Sequence, residues 1–429
     1  MDQREYTAVN FVLKGDICYA ATSQQLVTVP DGYVVCQKGI SKGIYQKLPA
    51  EYLNWPCYDF TGKLILPGLV DLHLHAPQYS FRGLGMDLEL LDWLNTHTFV
   101  EEAKYADISY AEHAYQLFVE DLLAGATTRA CIFATLHNDA TLMLMRKLDQ
   151  AGFKGYVGKV NMDRNSPANL CEADAVSSLE ATESWLKSCS SLKNIHPILT
   201  PRFIPSCTPQ LLQGLGELQK RYHLPLQSHL SENLGEIEWV KELCPESSCY
   251  GDAYDRYGLF GSNGPTIMAH CVHSNEEERA LMKARGVYIA HCPQSNTNLS
   301  SGIAPARLYL DEGFKLGLGT DVAGGESMSL LRALAMTIQC SKLRWRLVDQ
   351  SLQPLKVEEA FYLATKGGGS FFGKVGSLEE GYELDAIVVE DSGLRHPGHL
   401  SIEDRLARVI YLADERDIKA KYIGGRRVK

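Results

Sequence analysis

Between residues 67 and 325 one pattern of apolar and polar positions keeps recurring. A short apolar, β-branched run gives way to a loop and then to a stretch with apolar residues at helical spacing. Eight such runs are present: Gly68–His75, Ala126–Phe133, Gly155–Asp163, Ile195–Phe203, Leu224–Leu230, Pro265–Cys271, Val287–Cys292 and Phe314–Asp321. Helical stretches lie between them, among them Ala111–Ala124, Ala173–Lys187, Pro209–Tyr222, Asn275–Arg285 and Pro305–Glu312. Strands that alternate with helices pair in parallel through right-handed crossovers. Eight such units in about 260 residues match an α/β fold, the (β/α)8 TIM-type barrel. A doubly wound open sheet is the competing architecture, but no G-x-G-x-x-G follows a strand to support it.

The two ends read differently. Residues 1–66 and 376–429 show short strands and turns, such as Tyr33–Cys36 and Ala386–Val389, without a long helical period. Each end is too small to bury a core alone. They are therefore expected to join as one composite β-rich, sandwich-like side domain, leaving 67–375 as the barrel.

Composition narrows the classes. The 429 residues are 45% hydrophobic and 22% charged, the profile of a soluble globular chain rather than a fibrous or disordered one. The net charge is −10, and Arg426-Arg427-Val428-Lys429 is the longest basic cluster, so nucleic acid is not an expected partner. No stretch approaches the ~18 consecutive apolar residues of a membrane span. The start, Met1–Glu5, is polar, with no apolar signal core behind it. The 12 cysteines are scattered without a C-x-x-C, which points to reduced thiols and a cytoplasmic location.

Candidate chemistry concentrates at strand ends. In Pro67-Gly68-Leu69-Val70-Asp71-Leu72-His73-Leu74-His75, strand alternation places Asp71, His73 and His75 on one face and Val70, Leu72 and Leu74 on the other. Alone, such a His-x-His pair reads equally well as two surface histidines. Three later runs also end in donors: the fifth at His229, the sixth at His270 and the eighth at Asp321. Groups that do chemistry in such barrels cluster at the C-terminal strand ends. Three or four imidazoles with one carboxylate suit Zn²⁺, with Fe²⁺ as the alternative. Glu232, three residues beyond His229, is close enough to face the same space and move protons, although read alone it suits an exposed loop acid. Gln78 and Arg202 offer polar groups for a ring edge and Phe203 and Trp93 flat apolar walls, although read alone Arg202 suits a structural ion pair and the two aromatics suit core packing. His97, His113, His137, His223, His273, His396 and His399 lie off this pattern and read as surface or packing residues.

The segment just quoted continues Ala76-Pro77-Gln78-Tyr79. Together with Leu90-Leu91-Asp92-Trp93-Leu94, Pro201-Arg202-Phe203, Ser228-His229-Leu230-Ser231-Glu232-Asn233, Met268-Ala269-His270-Cys271, His291-Cys292-Pro293-Gln294-Ser295-Asn296 and Gly319-Thr320-Asp321-Val322-Ala323-Gly324-Gly325, it resembles the amidohydrolase superfamily, and within it the guanine deaminases. The resemblance spans nearly the whole chain. It implies that His73, His75, His229 and Asp321 ligate one metal, with His270 either ligating or orienting a metal-bound hydroxide. It also implies that Glu232, Asp321 and His270 are catalytic, that Gln78, Arg202, Phe203 and Trp93 contact a small purine, and that His291 shapes the site. The implied reaction is hydrolytic deamination of guanine to xanthine and ammonia by a homodimer. Another aminopurine, a pterin or a triazine is the alternative substrate. Pro77 departs from the small polar residue of that family and removes a backbone donor.

Overall fold

The computed structural model describes residues 10–429; the polar Met1–Glu5 stretch and the first nine residues of the expected side unit lie outside the described residues. All eight apolar runs form strands of one parallel sheet. In spatial order they are Leu226–Leu230, Thr266–His270, Tyr288–His291, Lys315–Leu318, Leu69–His75, Thr127–Phe133, Lys154–Gly158 and Ile195–Pro197. The ring closes where Leu199, just past the last of these, bridges Leu226 in parallel. The TIM-type barrel is thus the architecture, and the open-sheet alternative is excluded.

The helices between the strands follow local rules. Ile108–Ala124 starts at Asp107, whose carboxylate accepts from the Ser109 and Tyr110 amides. Pro209–Tyr222 starts at Thr208 with proline in its first turn, and it buries Leu211, Leu212, Leu215 and Leu218 along one face. Glu276–Arg285 is capped by Asn275 and stopped by Gly286 at φ 65°.

Strict alternation fails on the first barrel strand. Val70 and Leu72 pack with Cys131, Ile267, Ala269 and Ala290 from other barrel strands. Leu74 instead packs with Tyr115 and Phe118 of the covering helix. The pairing with Thr127–Phe133 slips between Asp71 and Leu74, and a slip of this kind re-aims side chains. Asp71 therefore does not join the two histidines. It accepts from the Thr320 amide at 3.1 Å and hydroxyl at 2.6 Å, tying the first strand to the end of the eighth.

The chain ends build a seven-stranded sheet. Its order is Arg426–Arg427, Ile418–Ile423, Ala386–Val389, Cys57–Pro67, Phe11–Thr22, Gln25–Gln37 and Ile40–Tyr45. Cys57–Pro67 interlocks the two ends, running parallel to Phe11–Thr22 and antiparallel to Ala386–Val389. Two expectations are corrected here. The strands reach 13 residues rather than being short, and residues 376–429 contain an 11-residue helix, Ile402–Leu412. Where sheet and barrel meet, Arg129 donates to Asp385 at 2.5 and 3.0 Å and to Glu383 at 2.8 Å. Nearby, Lys421 donates to the Leu122, Leu123 and Gly125 carbonyls at 2.8, 3.2 and 3.0 Å, around the end of helix Ile108–Ala124. Among the described residues no helix is long and apolar enough to cross a membrane, and the 12 cysteines carry free thiols.

Candidate active site

The C-terminal strand ends bring His73, His75, His229, His270 and Asp321 to one place in the barrel mouth. His73 Nε2 lies 3.1 Å and His75 Nε2 3.4 Å from the same oxygen of Asp321. The Nε2 atoms of His75 and His229 are 3.2 Å apart. The donor atoms of His73, His75 and His229, and those of His73, His270 and Asp321, form two groups that share His73, each with its atoms within 4.8 Å of one another. Such crowding needs close backbone approach, and Gly319 provides it: a Cβ there would stand 2.9 Å from the His73 Cβ.

Supporting contacts fix two of the ring tautomers. The Arg202 carbonyl, 2.6 Å from His229 Nδ1, requires that nitrogen to donate and leaves the Nε2 lone pair for the mouth. Asn296 Oδ1 does the same for His270 Nδ1 at 2.9 Å. His73 Nδ1 and Nε2, His75 Nδ1 and His270 Nε2 are buried without a hydrogen-bond partner. Burial and neighbouring imidazoles hold His75 and His229 well below the usual histidine range. These rings are therefore neutral, and because its Nδ1 has no partner His75 can set either an N–H or a lone pair against the His229 Nε2 lone pair 3.2 Å away. One cation can take both lone pairs, and nitrogens held at about 2.0–2.1 Å on one tetrahedral ion lie about 3.3 Å apart. The donor set fits a divalent transition metal.

Glu232 stands beside this cluster. Its Oε2 lies 3.2 Å from His270 Nε2, and its Oε1 accepts from the Ser301 hydroxyl at 3.1 Å. Burial, then the Asp321 carboxylate, pushes it up to about 8. Its amide donates to Glu236, which also accepts from the Tyr250 hydroxyl at 2.7 Å. His273 donates to the Ser301 carbonyl at 2.7 Å, so it steadies the loop that holds Glu232. Non-glycine residues at φ 72° (His270) and 49° (Asp321) mark this mouth as locally strained backbone, which persists only where surrounding structure enforces it.

The cleft next to Glu232 is lined by Leu90, Leu94, Phe203 and Arg202. Leu90 and Leu94 belong to an irregular segment that includes a π-helical turn at Leu94–Thr98, a feature frequent at functional sites. Trp93, on the same segment, does not line the cleft. Its indole N–H donates to the Leu84 carbonyl at 3.2 Å and its ring packs on Phe81. Arg202 and Gln78 are buried, and both bond to Glu102: Arg202 Nη1 at 2.6 Å and Gln78 Nε2 at 2.8 Å. Gln78 Oε1 accepts from the Ala323 amide at 3.1 Å. Pro77 sits in the turn Ala76–Phe81 directly after the first strand. His291 is buried in the mouth, and burial pulls it down to about 4.

Sequence reasoning missed Glu102, Glu236, Ser301 and the Leu90–Leu94 wall. Glu236 carried one readable signal, a capping box with Asn233 at the start of helix Leu234–Leu243.

Known proteins are similar throughout. Residues 64–428 match the family model for the amidohydrolase family. A guanine deaminase of Dictyostelium discoideum is 38% identical over 380 residues, covering 86% of this chain and 84% of that protein. One of Mus musculus is 38% identical over 405 residues, covering 89% and 87%. The crystal structure of guanine deaminase from C. acetobutylicum with bound guanine in the active site has 46% sequence identity and a TM-score of 0.95, covering 98% of this chain and 100% of that one. This chain belongs to the amidohydrolase family, in its guanine deaminase branch.

Proposed function

We propose that the barrel mouth is the active site for hydrolytic deamination of guanine to xanthine and ammonia, with His73, His75, His229 and Asp321 holding one metal ion. The family is metal-dependent, and the neutral imidazoles plus one carboxylate favour zinc, with Fe²⁺ as the alternative. When bound, the ion makes water a nucleophile near neutral pH by lowering its pKa to about 7.

The protein groups divide the remaining work. Asp321 takes the proton of the attacking water. We assign His270 to this proton path because its Nε2 lies 3.2 Å from Glu232 and 3.7 Å from Asp321, although it also shares a donor group with His73 and Asp321. Glu232 protonates the ring nitrogen beside the carbon that carries the amine, which makes that carbon more electrophilic. The amine must be protonated before it leaves, because an amide ion is too basic to depart, and Glu232 or Asp321 supplies that proton. Arg202 and Gln78 donate to the ring carbonyl, which separates guanine from adenine: adenine would set an amine against those donors. Phe203, Leu90 and Leu94 flank the ring, and Trp93 backs the leucines.

The observation that carries this reading is the meeting of orphaned imidazole nitrogens, Glu232 and Arg202 in one buried mouth. Ammonia release from guanine, adenine, cytosine and a pterin tests it. Guanine is expected to be turned over best, and Arg202→Ala is expected to cripple guanine turnover with metal content unchanged. A parent that prefers adenine or the pterin overturns the guanine assignment. We further propose a homodimer acting in the cytoplasm without nucleic-acid or membrane partners, its catalytic barrel spanning 67–375 and its side domain built from 1–66 and 376–429. Light scattering of the purified chain and limited proteolysis test these two points.

A further inference from the structure

Arg202 is a buried cation at the edge of the cleft, and nothing in the reaction needs a net positive charge there. A buried guanidinium without a counter-charge is costly. Its partner is Glu102, on the short helix Phe99–Glu102 of the irregular segment over the mouth. Glu102 is 2% exposed, and each of its carboxylate oxygens serves one substrate-reading side chain. Oε2 accepts from Arg202 Nη1 at 2.6 Å, while Oε1 accepts from Gln78 Nε2 at 2.8 Å. Phe99, one turn earlier, lies with its ring 5.3 Å from the Arg202 guanidinium carbon.

We propose that Glu102 is the positioning residue for purine recognition: one carboxylate clamps Arg202 and Gln78 together, fixing the direction in which their remaining N–H groups point and cancelling the Arg202 charge. This rests on the reading that Arg202 and Gln78 bind the ring carbonyl. Two consequences follow. The clamped pair presents directed N–H dipoles with no net charge, a surface suited to a neutral 6-oxopurine rather than to an anionic ring. The clamp also acts through side chains on two separate barrel strand ends, so its loss disturbs the carbonyl contact without touching the metal donors.

The test uses metal-loaded protein and two purines that cannot lose an amine, hypoxanthine and unsubstituted purine, which differ by the 6-oxo group. Calorimetry reads their Kd values. The parent is expected to bind hypoxanthine the more tightly. Glu102→Gln is expected to shrink the hypoxanthine-to-purine preference by about 10- to 100-fold, the worth of one misdirected charge-assisted hydrogen bond, with metal content unchanged. In a Glu102→Met, Arg202→Met pair no buried charge is left alone, so this protein keeps its fold. With Gln78→Met added to this pair, its preference should equal that of an Arg202→Met, Gln78→Met protein, because Glu102 acts only through those two side chains. Equal weakening of both ligands by Glu102→Gln, or a further loss of preference when Glu102→Met is added to Arg202→Met, Gln78→Met, overturns the clamp while leaving the Arg202 reading intact. If Arg202→Met itself leaves the preference untouched, the carbonyl reading fails and the clamp falls with it.

Discussion

Two regions of this molecule bury clusters of ionisable side chains, the seam between side sheet and barrel and the barrel mouth, and they are finished in opposite ways. At the seam Arg129 faces Asp385 and Glu383, Lys154 reaches Glu383 at 2.7 Å, and Lys421 spends its donors on three carbonyls. At the mouth, equally buried nitrogens of His73, His75 and His270 make no hydrogen bond, although carboxylates of Asp321 and Glu232 stand close by, and His270 and Asp321 hold left-handed backbone. Unpaired buried polar groups cost free energy that folding alone does not return. A completed network therefore reads as a device for holding two parts of the chain together. An incomplete one at the same burial reads as a place that something else completes.

The sharpest way to break this comparison is to remove one donor from the mouth. His73→Ala is expected to lose metal and guanine turnover together, by on the order of 10³-fold or more, since the ion's contribution to the barrier is several kcal/mol. Elemental analysis paired with ammonia release checks it. A variant that keeps both would mean that the orphaned nitrogens are only a packing defect. Glu232→Gln separates the mouth's two jobs, because it keeps size and polarity but cannot move a proton. Its turnover should fall by about 10²- to 10⁴-fold with metal retained, and near-normal turnover would remove Glu232 from the reaction.

The two regions also differ in how far they can be read from the sequence. Each barrel strand carries its signal locally, as a short apolar run, and four of the eight end in a donor, so His73, His75, His229, His270 and Asp321 could be picked out once the eight-strand repeat was seen. Relations between distant segments could not. The Glu102–Arg202 pair joins residues 100 positions apart, and Glu102 lies in a segment of short helical and π turns that follows no single period. The place of Asp71 was misread because the slip near Leu72 leaves no trace in the alternation. At the seam, Arg129 and Asp385 are 256 positions apart and look ordinary in isolation. The helix Ile402–Leu412 was legible and overlooked: Ser401 caps it, accepting from the Asp404 amide, and Leu406, Val409 and Ile410 form its buried face.

Cutting the seam should do what cutting the mouth does not. Arg129→Met leaves Asp385, fully buried, and Glu383 without their strongest partner. Breaking one side of a buried pair costs about 3–5 kcal/mol, so the urea midpoint should drop clearly. Metal content and guanine turnover per folded molecule should match the parent. Loss of metal in this variant would show that the two regions are not independent.

Lys421→Met gives the smallest effect and the most specific one. The methionine fills similar space but abandons the Leu122, Leu123 and Gly125 carbonyls, at a cost of about 1–3 kcal/mol near pH 7. Burial, helped by Lys429, pulls Lys421 down to about 7 from an ordinary 10.5. The native ammonium then releases its proton at about pH 7, whereas the unfolded chain holds it until about 10.5. Between those values the unfolded state binds more protons, so raising the pH stabilises the parent. The penalty of keeping a charge in that pocket is present at and below pH 7 and is relieved above it. Other titrating groups are common to parent and variant and cancel in the difference. The gap in urea midpoint between parent and Lys421→Met is therefore expected to widen from pH 7 to pH 10. A gap that stays constant would mean that the three carbonyls, lying at the negative end of a helix, hold the ammonium charged throughout. All three carbonyls would then keep an N–H throughout, whereas a neutral amine has only two to give them.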